Sequence, residues 1–154
     1  MSGDHRARRG RRIGVDVGAV RVGVALSDPD GLLATPLATV PRDPDGGCDV
    51  RTVGALVAEH DAVGVVVGLP RTLAGAEGSA AVAARAFGDA LTAALDVPVE
   101  YTDERLTTVV ATRQLRASGR PGRRQRSVVD QVAAVGILQG WLDRSRSEQR
   151  PPGV

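Results

Sequence analysis

The chain has 154 residues, of which 42% are hydrophobic and 25% charged, with a formal net charge of +2. This length and composition predict one folded domain with a sizeable core and exclude a globally disordered chain. No apolar run approaches the ~20 residues that cross a bilayer, and the arginine-rich N-terminus is not followed by a signal-type apolar block. We therefore expect a cytoplasmic protein with no membrane partner.

The first part of the chain predicts three strands. Residues 1–10 are polar and are expected to form a flexible basic arm. Alternating apolar residues then predict strands at 13–18 and 21–27, joined as a hairpin, and a third strand at 32–40. Together these strands would form an antiparallel meander.

The middle of the chain predicts helices alternating with strands. Helical periodicity favours a helix over about 49–60, and the unbroken apolar run at 63–69 is typical of a central strand covered on both faces. An alanine-rich helix is expected over 77–95, followed by a short fifth strand at 98–101. Helical crossovers of this kind make the later strands parallel to the first.

The last part of the chain predicts two helices. The first would begin at Thr107 or Thr108 and end near residue 117, before a glycine-rich basic loop at 118–126 that we expect to be mobile. Ser127 can cap a second helix that continues to Trp141. A polar tail, 144–154, is expected to be flexible.

This order of elements predicts a single α/β domain over residues 11–143. Its five-stranded mixed sheet would contain three antiparallel strands, then two parallel ones, with helices on both faces.

Asp16 is the most unusual residue of the predicted core. Alternation along 13–18 places it between Gly14 and Gly18 on one face of the first strand. A buried carboxylate without a partner costs several kcal/mol, so either an arginine or a metal ion should neutralise it. The two glycines are expected to leave room for a metal ion or a large polyanion near the backbone.

Arginine supplies all the positive charge of the side chains, because the chain contains no lysine among its 20 basic residues. Seven arginines and no acidic residue lie between Glu104 and Asp130, and such a patch favours a phosphate partner unless it is simply a solvated face. With only three aromatic residues, recognition of a nucleic acid backbone or shape is more natural than base stacking. The candidate substrate contacts are Arg71, Arg113, Arg116, Arg120, Arg123, Arg124 and Arg126.

Three carboxylates could meet at one edge of the predicted sheet: Asp16 on the first strand, Glu104 just past the fifth strand, and Asp130 in the first turn of the last helix. Oxygen ligands favour Mg²⁺ or Mn²⁺, and two such ions could support phosphodiester hydrolysis. Each acid also has a purely structural explanation. Glu104 could pair with Arg105 or cap the next helix, and Asp130 could form a capping arrangement with Ser127.

Several stretches in order resemble the YqgF/RuvX family. The resemblance covers nearly all of residues 12–143 and implies a ribonuclease H-like fold. It also implies a Holliday junction resolvase or a nuclease that matures the 5′ end of pre-16S ribosomal RNA. The matching stretches are Gly14-Val15-Asp16-Val17-Gly18, Arg21-Val22-Gly23-Val24-Ala25-Leu26-Ser27-Asp28, Val67-Gly68-Leu69-Pro70, Asp103-Glu104-Arg105-Leu106-Thr107-Thr108 and Val129-Asp130-Gln131-Val132-Ala133-Ala134.

The resemblance also implies roles for individual residues. Asp16, Glu104 and Asp130 match the family's acidic metal-binding positions, and would be both catalytic and metal-ligating. Arg21 and Arg105 match its motif arginines, which would hold phosphate. The chain departs from the family where arginines replace lysines before the last aspartate, and arginine is a poor proton donor.

The combined interpretation is a nuclease dependent on Mg²⁺ or Mn²⁺ that cleaves a four-way DNA junction, pre-16S rRNA, or both. A non-catalytic nucleic-acid-binding regulator with the same fold is the alternative. A phosphate loop of the sugar-kinase or actin-like type is disfavoured, because those folds need two such domains and this chain has room for one. Cys48, the single cysteine, is a candidate for an intermolecular disulfide in a homodimer, although a reduced thiol is the ordinary cytoplasmic state.

Overall fold

The computed structural model describes residues 9–70, 78–104 and 123–149. A single five-stranded sheet carries three helices among these residues. The strands are β1 (Arg12–Val17), β2 (Arg21–Ser27), β3 (Ala34–Pro41), β4 (Gly64–Leu69) and β5 (Val99–Asp103). The helices are α1 (Cys48–Glu59), α2 (Ser79–Ala94) and α3 (Arg123–Gln149).

Strand β1 lies at the centre of the sheet, in the order β3-β2-β1-β4-β5. It pairs antiparallel with β2, which pairs antiparallel with the edge strand β3, and parallel with β4, which pairs parallel with β5. The predicted mixed sheet of three antiparallel strands followed by two parallel ones is therefore confirmed.

One face of the sheet packs against α1 and α2. Alternate residues of the central strands point to this side and are buried with Val53 of α1 and with Phe87 and Leu91 of α2. This explains the alternation read from the sequence, since Ile13, Val15 and Val17 all belong to this core.

Within the part of the chain that the structure describes, the other face packs against α3, so helices cover both faces as predicted. Its core is smaller and consists of Ala25, Ala34, Val66, Ala133, Ala134, Ile137, Leu138, Trp141 and Leu142. Most of the large apolar side chains in this core belong to the helix, because the strands present mainly small residues to it.

Glycines of the sheet let α3 approach closely. A Cβ atom on Gly14 would lie 2.6 Å from the Cβ of Leu138, and one on Gly23 would lie 2.0 Å from the backbone oxygen of Asp130. The room beside Gly14 is thus filled by the helix, and the expectation that it admits a metal ion or a polyanion is wrong. Gly18 shapes the β1–β2 turn, where its N–H donates to the carbonyl oxygen of Arg21 at 2.9 Å.

Helix α3 is longer than predicted at both ends. It begins at Arg123, so the expected loop at 118–126 is helical from that residue and Ser127 lies inside the helix instead of capping it. It continues past Trp141 to Gln149, because Leu142 and Ser145 remain buried and extend the packed face. Residues 144–149 of the expected tail are therefore helical. The expected helix near 107–117 lies outside the described residues, and the domain limits stay predictions.

Cys48 is exposed and is the first residue of α1. Its N–H donates to the carboxylate of Asp43 at 3.0 Å, and Gly46 donates to the same side chain at 3.0 Å. These bonds lower the pKa of Asp43. The intermolecular disulfide stays a prediction. None of the helices in the described ranges is both long and apolar enough to cross a membrane.

The close approach of α3 predicts that Gly14→Ala destabilises the fold. A Cβ there would meet both the Cβ of Leu138 at 2.6 Å and the carbonyl oxygen of Ala134 at 3.0 Å. Overpacking of this kind costs about 1–3 kcal/mol of unfolding free energy, measurable by urea denaturation. Gly78→Ala is the control, because nothing lies within 4 Å of its Cβ position. Equal stability of the two variants would contradict the packing described above.

Tyr101 predicts a loss of stability at alkaline pH. Its hydroxyl contacts the Asp89 carboxylate at 2.8 Å and the Arg85 carbonyl oxygen at 3.0 Å, which joins β5 to α2. Burial, followed by the bond to Asp89, raises the pKa of Tyr101 to about 12. A raised folded-state pKa adds stability that is complete below about pH 10 and is lost as pH rises through about 12. Thermal unfolding should show this loss relative to Tyr101→Phe, and parallel pH profiles of the two proteins would refute it.

Candidate active site

Asp16 is the next-to-last residue of the central strand β1, and only 1% of its surface is exposed. It points to the α3 side of the sheet, because Gly14, two residues earlier on the same strand, faces Leu138 of that helix. Its partner across the β1–β2 ladder is Gly23, which contacts the backbone of Asp130. The strand pairing therefore brings Asp16 beside the turn of α3 that carries Asp130.

Glu104 directly follows β5 and is 2% exposed. Its Oε1 atom lies 2.8 Å from the position that a Cβ on Gly68 would occupy. Gly68 follows Val67 of β4, the residue paired with Val15 of β1, so it lies level with Asp16 on the neighbouring strand. The absence of a side chain at Gly68 leaves the space in which the Glu104 carboxylate lies. The same Cβ position would be 2.3 Å from Ile137, so this carboxylate is also on the α3 side.

Asp130 lies on α3 and is 3% exposed. Helix α3 starts at Arg123, which places Asp130 about two turns inside the helix and not in its first turn as predicted. The proposed capping arrangement with Ser127 is therefore wrong. The carboxylate instead accepts a hydrogen bond from the Nε of Arg21, at 2.7 Å from its Oδ2 atom.

The three carboxylates thus come from β1, from the end of β5 and from α3, and all three are buried on the same side of the sheet. Their oxygen donors are chemically suited to Mg²⁺ or Mn²⁺, and the empty Cβ position at Gly68 provides the space beside Glu104. Within residues 9–70, 78–104 and 123–149, no three His, Cys, Asp or Glu side chains are arranged closely enough to share one ion. The metal-binding role of the carboxylates stays a prediction.

Arg21 is the first residue of β2. It is one of the predicted phosphate ligands, and the structure describes its side chain. It is engaged with Asp130, although 26% of its side chain remains exposed. Arg123, Arg124 and Arg126 form the start of α3, and their side chains fall outside the described part of the chain. Outside it altogether are Arg71, Arg105, Arg113, Arg116 and Arg120.

Two features of the site escaped the sequence reasoning. The pairing of Arg21 with Asp130 joins residues 109 positions apart, and no local pattern indicates it. Gly23 and Gly68, in contrast, carried a usable signal, because a glycine inside an otherwise apolar strand often marks a close approach of backbone or side chain. Both positions adjoin an acidic residue of the site.

The fold and the buried carboxylates define a domain of the ribonuclease H-like class, the class of the nuclease RuvC. RuvC of T. thermophilus, solved in complex with a Holliday junction substrate, superposes with a TM-score of 0.53 over 90% of this chain and 97% of its own, at 15% identity. At that identity the likeness concerns the fold alone.

The chain belongs to the RuvX family, described as Holliday junction resolvase, whose model matches residues 10–144. A Rhodococcus opacus relative is 59% identical over 144 residues, which are 90% of this chain and 81% of the relative. A Nocardia farcinica relative is 56% identical over 151 residues, covering 94% and 84%. The curated name of both, given there provisionally, is pre-16S rRNA nuclease.

Proposed function

We propose that this protein is a cytoplasmic nuclease that uses divalent metal ions to hydrolyse phosphodiester bonds of structured nucleic acid. The observation that carries this proposal is the burial of Asp16, Glu104 and Asp130 on one side of the sheet, at 1%, 2% and 3% exposure. A fold needs no such group for its own stability, because a buried carboxylate is costly unless a positive charge neutralises it.

The cost of burying these carboxylates favours a cation at the site. Two carboxylates that came within ~4 Å of each other would repel by about 4 kcal/mol at an effective dielectric of ~20, so drawing the three acids around one point requires positive charge. His60, the one histidine in the described ranges, follows α1 on the opposite face of the sheet. The three acids themselves offer oxygen ligands, which suit Mg²⁺ or Mn²⁺. Asp16, Glu104 and Asp130 would hold the ions.

When bound, two such ions supply activation of a water molecule and stabilisation of the leaving oxygen. The protein's own contribution is to position the three carboxylates and to shield them from solvent. Asp16 and Glu104 are fixed by the ends of strands on the same sheet, and Asp130 by a helix pressed against Gly23. Because all three are buried, their carboxylates have little freedom to turn away from the reacting phosphate.

The start of α3 supports a phosphate partner. Arg123, Arg124 and Arg126 lie at the positive end of the helix dipole, where basic side chains are unfavourable and an anion is welcome. A nucleic acid backbone at this position would satisfy both the dipole and the arginines. The same helix carries Asp130, so a backbone held here would lie near the carboxylates.

The choice of substrate rests on the relatives. Their shared curated name favours pre-16S rRNA, and we propose its 5′ end as the first substrate. The family description makes a four-way DNA junction the second. A regulator that binds nucleic acid without cleaving it is the competing function.

Replacing one carboxylate should abolish cleavage while preserving the fold. Changes around a metal ligand cost about 10–100-fold, so Asp16→Asn, which removes a direct ligand, should lower the cleavage rate at least about 100-fold. The assay compares a pre-16S 5′ fragment with a four-way junction, each with Mg²⁺, Mn²⁺ or EDTA. Asp45→Asn, in an exposed loop, is the matched control and should cleave normally.

Full cleavage by a folded Asp16→Asn protein would refute the proposal. Tight binding of either substrate by the wild-type protein with no cleavage under any metal condition would instead establish the regulator.

The arginines at the start of α3 should contribute to binding without regard to sequence. Replacing Arg123, Arg124 and Arg126 by glutamine should weaken binding and reduce the slope of log K against log salt by about one for every phosphate that the variant no longer binds. Fluorescence anisotropy at several salt concentrations measures both. Arg51→Gln, exposed on α1 at the opposite face, is the control. An unchanged slope in the triple variant would show that α3 does not contact the backbone.

A further inference from the structure

The contact between Arg21 and Asp130 is a short, charge-assisted hydrogen bond, with 2.7 Å between Nε and Oδ2. The main chains on both sides are held firmly. Arg21 begins a strand in the middle of the antiparallel meander, and the backbone oxygen of Asp130 is pressed against Gly23 of the same strand. Any rearrangement at this contact must therefore come from the side chains.

The two side chains differ sharply in their freedom. That of Asp130 is 4% exposed and is confined between helix and sheet, whereas that of Arg21 is 26% exposed. The partly exposed guanidinium has access to solvent, whereas the carboxylate is almost fully buried. Arg21 is thus the mobile partner of the pair.

A guanidinium at this position and a divalent cation make competing demands. Both cations are attracted by the Asp130 carboxylate. Because both would lie close to that carboxylate, they would also lie close to each other and repel. The contact seen in the structure agrees with this competition, because the Asp130 carboxylate is engaged with the Arg21 guanidinium.

We propose that Arg21 is an internal counter-ion that competes with a divalent metal ion for Asp130. It keeps the carboxylate neutralised and ordered in the metal-free protein, and it weakens metal binding. When an ion binds, the guanidinium turns outward, where it becomes available to a phosphate of the substrate. This inference rests on the proposed function, since it requires that the carboxylates bind a divalent ion.

One consequence is coupling between the two ligands. A substrate phosphate that attracts Arg21 removes the competitor of the metal ion, so nucleic acid should tighten metal binding and metal should tighten nucleic acid binding by the same factor. The protein would thereby hold its metal firmly only when substrate is present.

Calorimetric titration of the full chain with Mn²⁺ tests the proposal. Arg21→Gln should bind Mn²⁺ about tenfold or more tightly than the wild type, because a positive charge beside the ion is removed. In EDTA the same variant should melt at a lower temperature than the wild type. Arg51→Gln removes an equal charge from an exposed position on α1 and should leave Mn²⁺ binding nearly unchanged.

A second measurement uses the wild-type protein and so does not depend on the variant folding. The Arg21 Nε–H proton, protected by its bond to Asp130, should exchange slowly with water in NMR spectra and faster once Mg²⁺ is saturating.

The outcomes separate the two proposals. Mn²⁺ binding to Arg21→Gln that is equal to or weaker than wild type, or an Nε–H exchange rate that Mg²⁺ does not change, would overturn the role of Arg21 alone. Failure of every protein, including Arg21→Gln, to bind Mn²⁺ would overturn both. Binding by Arg21→Gln but not by the wild type would support the competition in its strongest form.

Discussion

The close packing of α3 on the sheet is the constraint on which the candidate site depends. Gly14, Gly23 and Gly68 present no side chains to the helix, and Cβ atoms at these positions would come within 2.6, 2.0 and 2.3 Å of its atoms. This approach lowers Asp130 onto the same side of the sheet as Asp16. Larger residues in the strands would lift the helix and move Asp130 away from the sheet. Packing and chemistry are therefore specified by the same glycines.

Charge is the second constraint, and it acts against the first. The packing that places the three carboxylates on one side of the sheet also buries them, so each acid needs positive charge close by. Arg21 provides it for Asp130 at 2.7 Å, from a strand that the meander holds beside β1. A divalent ion would provide it for all three acids. Either a protein cation or a metal ion can therefore neutralise Asp130. This gives a physical reason for an arginine to contact a residue that is expected to bind metal.

The sequence predicted the sheet well and the helix on its second face less well. Strand alternation and the apolar run of β4 are local signals, and the observed order of strands follows from them with the crossover rule. The start of α3 was missed because Arg123–Arg126 follow a glycine-rich stretch and carry no apolar periodicity. Its end was missed because the residues after Trp141 are mostly polar, so no apolar pattern indicates that Leu142 and Ser145 are buried.

The acids of the site were visible as residues, but their partners were not. Asp16 stood out because a carboxylate is rare in a buried strand, and the resemblance supported the choice of Glu104 and Asp130. The role of Gly14 was misjudged, since sequence alone does not say what fills the space beside a glycine. The contact between Arg21 and Asp130 depends on how α3 lies across the sheet, which only the three-dimensional arrangement determines.

The central claim is that Asp16, Glu104 and Asp130 together hold divalent metal ions. Anomalous scattering from crystals grown with Mn²⁺ would locate those ions directly. The account predicts a strong Mn²⁺ peak within bonding distance of oxygens from all three carboxylates, with Arg21 turned away from Asp130. Crystals saturated with Mn²⁺ that show no peak there, and an intact contact between Arg21 and Asp130, would contradict it.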